Sequence, residues 1–169
     1  MQELDTQGAY FAPFDVQITS FIDQHRGMLA ASLEGLTEEE ARRLLVPSKT
    51  TLLGLVKHAA FVERVWVGEA VTGASRAELG IPATPDASFD LQESDTIESV
   101  LADYAVKVTQ SRKAVAAMDG DTLLPGNRRG PLPLRWVRQH VLRDLAQHCG
   151  HADILRELIL GAARSQPQN

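Results

Sequence analysis

The sequence predicts an all-α fold, a four-helix bundle with one long crossover connection. Three observations carry that reading. Four long stretches repeat apolar residues at helical spacing, threonine-headed caps and Gly or Pro breakers punctuate them, and no strand-like alternation runs to a useful length. There is no internal repeat and no low-complexity tract.

Taken in order, residues 1–13 are expected to be a flexible N-terminus, and Phe14 to Leu36 forms the first helix, with Val16, Ile18, Phe21, Ile22, Met28, Leu29 and Leu33 at mostly helical intervals. Thr37-Glu38-Glu39-Glu40 has the form of a capping box, in which the threonine oxygen covers a free amide and a glutamate reaches back. A short helix through Leu45 should follow, ended by Pro47. Thr50 or Thr51 caps a second long helix to about Thr72, whose apolar face is Leu52, Leu55, Val62, Val65 and Trp66, and Gly73 stops it. The stretch from Gly73 to Ser94 is rich in Gly, Pro, Ser and Asp, so it is the crossover, with room for one short turn. Asp95-Thr96-Ile97-Glu98 opens a third long helix marked by Val100, Leu101, Tyr104, Val108, Val115 and Met118, and Asp119-Gly120 closes it. Leu123 to Leu132 contains PGNRRGP, read as a turn-rich loop carrying Arg128 and Arg129. Pro133 opens the fourth helix, where a missing amide proton costs little, and Gly161 suits its end. Residues 14–163 thus form one bundle domain and 164–169 a tail.

The bulk numbers narrow the functional class. A chain of 169 residues that is 44% hydrophobic and 23% charged buries a core as a single domain without disulfides or structural metal. Lys and Arg number 17 against 22 Asp and Glu, a net charge of -5, which argues against nucleic acid as a partner. No apolar run approaches the roughly 18 residues of a membrane span, and the first residues lack the apolar core of a secretory signal. The lone Cys149 cannot form an internal disulfide, which fits a cytoplasmic protein.

The chemistry concentrates on the last helix. At roughly 100° per residue, His140, Asp144, His148 and His151 fall within about 80° of arc, on or beside the arc of Val137, Val141, Leu155 and Leu158. Burying three imidazoles and a carboxylate unpaired would cost several kcal/mol. A divalent cation would satisfy several at once. Bundle metal sites draw on facing helices, and His58 shares the arc of Leu55, Val62, Val65 and Trp66 on the second helix. His58, Asp144 and His148 would make a three-ligand set with a position open to water or substrate, as catalytic zinc has. His151 is either a fourth ligand or a partner of one.

Two segments, LLGLVKHAAFVERVW at Leu52 to Trp66 and WVRQHVLRDLAQHCGHADILRE at Trp136 to Glu157, resemble the DinB/YfiT-like superfamily, and within it the DUF664 branch related to mycothiol-dependent maleylpyruvate isomerase. The resemblance runs from about Phe14 to Gly161. It implies a metal-binding four-helix bundle with one ligand on the second helix and a pair four residues apart on the last, which carries onto His58, Asp144 and His148. Relatives usually place His or Glu where this chain has Asp144, a carboxylate shorter by one methylene than Glu. The resemblance further implies a divalent ion, Zn²⁺ first with Ni, Fe or Mn also compatible, that activates a low-molecular-weight thiol of mycothiol type for S-transfer to an electrophilic substrate or for isomerisation. It also permits a homodimer through an exposed apolar stripe on the first or third helix.

Around this set, His140 one turn before Asp144 either orients that carboxylate or packs. Glu63 is read as an arginine partner, with a role beside the ligands as the minor alternative. Trp66 and Trp136 pack or wall a cavity. Cys149 points about 100° away from His148 and is neither nucleophile nor ligand. Arg128 and Arg129 are turn arginines, read first as solvated and second as placed to meet a substrate anion at the bundle mouth. The alternatives are a metal- or ligand-binding bundle without turnover, acting in stress response, and a metal-dependent hydrolase. A cavity of roughly 300 Å³ or more beside an open coordination position would separate an enzyme from a closed binding protein.

Overall fold

Helix α1, Phe14–Ala31, opens behind Pro13, whose carbonyl accepts from the amides of Val16 and Gln17. The computed structural model describes residues 10–164, so most of the expected flexible N-terminus and tail lies outside the described residues. Residues 10–12 are tied to α1 by the Gln17 side-chain amide, which donates to the carbonyls of Tyr10 and Ala12. The helix stops at Ala31 rather than Leu36. A turn follows in which Ser32 caps back onto the Leu29 carbonyl and Gly35 adopts φ 73°, a left-handed conformation that ends a helix.

Helix α2, Glu38–Ala41, has the expected capping box between Thr37 and Glu40 but only one turn, not a run to Leu45. The Arg42 guanidinium donates to the carbonyls of Gln92 and Asp95, and Pro47 restricts the backbone just ahead. Helix α3 starts at Thr51, whose hydroxyl accepts from the Gly54 amide. It runs Leu52–Glu63, widens into a π-turn at Arg64–Glu69, and finishes with Ala70–Thr72 before Gly73 at φ 70°. Within Leu52–Glu63 every residue except Lys57 is buried, so α3 is the central helix of the bundle.

The crossover, residues 74–96, lies against α3. It holds a 3₁₀ turn at Asp86–Phe89, and it is tied down where Lys49 meets Asp86 and Asp90, each at 2.7 Å, and Lys57 meets Asp95 at 2.6 Å. Helix α4, Ile97–Val115, begins with a second capping box, Thr96 with Ser99.

The stretch expected to be a loop is instead a β-hairpin. Strands β1, Leu123–Asn127, and β2, Gly130–Pro133, pair antiparallel with Leu124 opposite Leu132 and Asn127 opposite Gly130, leaving Arg128 and Arg129 at the tip. Gly126 makes the irregular register possible. At φ 83° its hypothetical Cβ would lie 1.7 Å from the Gly130 carbonyl oxygen, a position no side chain tolerates. Prolines at 125, 131 and 133 hide the pairing from a periodicity search, because they remove ladder donors.

Helix α5, Leu134–Arg164, spans 31 residues and passes through Gly161, which therefore is not its end. It packs along α1 and α3, while α4 packs along α3. Its most buried line is Leu134, Val137, Val141, Leu145, Cys149, Ala152, Leu155 and Ile159. The histidine arc flanks that line rather than coinciding with it, and Leu158 is half exposed. The result is an all-α bundle with one small hairpin. Phe14, Phe21 and Met28 of α1 and Ile154 and Leu158 of α5 are exposed. No helix among the described residues is long and apolar enough to cross a membrane.

Candidate metal centre

The buried inner face of α3 presents His58 to the flank of α5, where Asp144 and His148 project one turn apart. One nitrogen or carboxylate oxygen from each of these three lies within 4.8 Å of the others, the one such group of three among the described residues. The His58 and His148 rings meet edge to face with centroids 4.8 Å apart, and His148 Nε2 is 3.6 Å from Asp144 Oδ2. Burial pushes the His58 imidazole down to about 4, helped by the neighbouring His148. Burial also lowers His148, although Asp144 pulls it the other way. Both rings are therefore held toward the neutral form, the form that ligates a metal.

Two atoms of this group are buried with no hydrogen-bond partner, Asp144 Oδ2 and His148 Nδ1. Leaving them so costs roughly 1–3 kcal/mol each. A carboxylate and two neutral imidazoles are donors that suit a divalent cation of borderline softness, and a cation would remove at least part of that deficit. The residues present thus fit the group.

The remaining predicted residues divide. His151 is exposed, its ring 5.6 Å from that of His148, and it stands outside the cluster. His140 packs: its ring stacks on Trp136 with centroids 5.3 Å apart, touches Trp66 at 3.9 Å, and has Nδ1 3.0 Å from an Arg143 nitrogen. Glu63 turns away from the cluster toward α1, where both its oxygens accept from Arg26 at 2.8 and 2.7 Å. Cys149 is buried, its thiol pushed up to about 11 by burial and Asp153, and it donates to the His25 carbonyl. It is no nucleophile at neutral pH.

A cleft of about 180 Å³ opens beside the cluster, its wall formed by His58, Trp66, His140 and Asp144 and its mouth by Arg128 and Arg129. The Arg129 guanidinium rests 5.8 Å above the Trp66 ring. The π-turn of α3 carries Trp66, in keeping with the tendency of such turns to mark functional positions. Two residues that periodicity could not find complete the surroundings of His58. Ser88 Oγ is 2.6 Å from His58 Nδ1, and the Phe89 ring stacks on the imidazole at 4.2 Å. Both belong to the crossover, where the only sequence signal was a turn.

The sequence profile of the mycothiol-S-transferase family matches residues 17–161. The chain belongs to the mycothiol-S-transferase family. The matched span takes in α3, the crossover, the hairpin and the part of α5 that bears Asp144 and His148, so the family relation covers every residue of the cluster. It agrees with the resemblance to DinB/YfiT-like proteins related to mycothiol enzymes. No curated protein matches the chain.

Proposed function

We propose that this protein is a metal-dependent S-transferase in which His58, Asp144 and His148 hold one divalent ion, and a thiol of mycothiol type is activated beside it for attack on an electrophilic carbon. The observation that carries the reading is the convergence of the three donors with two of their buried atoms unpartnered. A bound divalent cation favours the thiolate, the nucleophilic form of a thiol, at neutral pH.

The chain's own residues supply the rest. His58 and His148, neutral through burial, offer lone pairs without first losing a proton. Trp66 and His140, with Trp136 packed against both rings, form an aromatic wall that keeps water from one side of the cleft and strengthens electrostatic contacts there. Arg128 and Arg129 at the mouth favour an acceptor bearing negative charge. Zn²⁺ is the ion we propose, with Ni, Fe or Mn compatible with the same donors.

Replacing His58 with Ala should remove bound metal from protein purified without a His tag, measured by elemental analysis. Stoichiometric metal in that variant sinks the ligand assignment. Metal-loaded protein should accelerate loss of a thiol in the presence of an electrophile. The cleft volume favours one competitor: about 180 Å³ is below the roughly 300 Å³ at which small-molecule pockets begin, which suits a metal-binding bundle without turnover. Unchanged thiol loss in the assay would select that second reading. Turnover without any thiol would instead indicate a hydrolase.

A further inference from the structure

The contacts of Ser88 determine more than its own position. Its hydroxyl is 2.5 Å from the Pro85 carbonyl oxygen and 2.6 Å from His58 Nδ1. A carbonyl can only accept, and a serine hydroxyl has a single proton. That proton goes to Pro85, so Ser88 Oγ has only lone pairs to offer His58. A short contact between Oγ and Nδ1 then requires the hydrogen to be on Nδ1.

We propose that Ser88 locks His58 in the Nδ1-protonated tautomer, so that the crossover rather than the bundle helices fixes Nε2 as the ring nitrogen with a free lone pair. Imidazole in water favours the opposite tautomer, with the proton on Nε2, so the lock holds a minor form. The surroundings make it rigid. Ser88 is 1% exposed, and Phe89 lies nearly parallel to the imidazole, at 13°. Lys49 pairs with Asp86 and Asp90 at the two ends of the same turn, and Lys57 donates to the Asp90 carbonyl at 2.7 Å. Ser88 is thus a positioning residue that acts through His58. Its effect on metal affinity rests on the proposed ligand set, whereas the tautomer assignment does not.

Long-range ¹H–¹⁵N correlation spectra of metal-free protein at pH 7.5 read the tautomer directly. The expected result is His58 with its proton on Nδ1. A proton on Nε2 in the wild-type protein overturns the proposal, whatever the variants do. Ser88→Ala should move His58 to a mixture or to the Nε2 form and weaken Zn²⁺ binding about 10- to 100-fold, the range for partners that orient metal-binding histidines. Phe89→Leu, with the hydroxyl in place, should keep the Nδ1 proton. An unchanged tautomer in Ser88→Ala, or a lost one in Phe89→Leu, also overturns the assignment. Full Zn²⁺ retention by His58→Ala together with Nδ1 protonation in the wild type would remove the ligand set and leave the tautomer lock standing.

Discussion

Glu63 and Arg26 show how a buried charge is handled away from the cleft. The Glu63 side chain is fully buried, and its two oxygens accept from the Arg26 guanidinium, which also reaches Asp23 at 2.8 Å. Removing Glu63 leaves the buried Arg26 with Asp23 on one nitrogen and its Nε and Nη2 donors unpaired, so Glu63→Ala should destabilise the protein by up to about 3–5 kcal/mol, measured by urea denaturation. Its folded fraction should match the wild-type protein in metal content, because Glu63 is not part of the cluster. A change below about 1 kcal/mol would show that Arg26 finds another partner or water. At this scale the cluster was partly legible. Asp144 and His148 share a face through their i, i+4 spacing, and His58 shares the apolar arc of its own helix. Ser88 and Phe89 were not legible, because an irregular connection has no period to show which way its side chains point.

Among the elements, the four long helices follow from periodicity and threonine caps, and Thr37, Thr51 and Thr96 all cap as their sequence context suggests. The ends were read less well. Gly161 continues α5, and α1 stops short of Leu36, because packing and local turns override single-residue signals. The hairpin escaped notice since three prolines and two glycines break any alternation, yet Leu124 is buried and anchors it. Its geometry depends on one glycine. Gly126→Ala should rearrange the strand pairing at a cost of roughly 1–3 kcal/mol for the forced left-handed residue, beyond the clash with Gly130. Because Arg129 covers Trp66, withdrawal of the tip should shift tryptophan emission to longer wavelength. Unaltered emission and stability would mean that the hairpin does not shape the cleft.

For the whole molecule, the buried imidazoles link stability to pH. In the unfolded chain His58 titrates near 6.5, whereas in the fold it titrates at about 4, and burial shifts His140 and His148 in the same direction. The sign follows. Above about pH 6.5 both states leave His58 neutral and its full contribution is present; as pH falls the unfolded chain takes up the proton first, and stability drains away until the folded ring titrates near 4. For His58 alone the loss amounts to about 3 kcal/mol. The urea midpoint of metal-free protein should therefore fall between pH 7 and pH 4, more gently in His58→Gln. An equal slope in the two proteins would rule out His58 as a contributor.

The three donors reach one another only across the core, His58 from a helix in the first half of the chain and Asp144 with His148 from the last. A nascent chain still leaving the ribosome, or a proteolytic fragment cut within the connection between α3 and α4, carries at most part of the set. Retention of a tightly held ion would then serve as a gauge of complete assembly, separating finished molecules from those that have collapsed without joining their two ends.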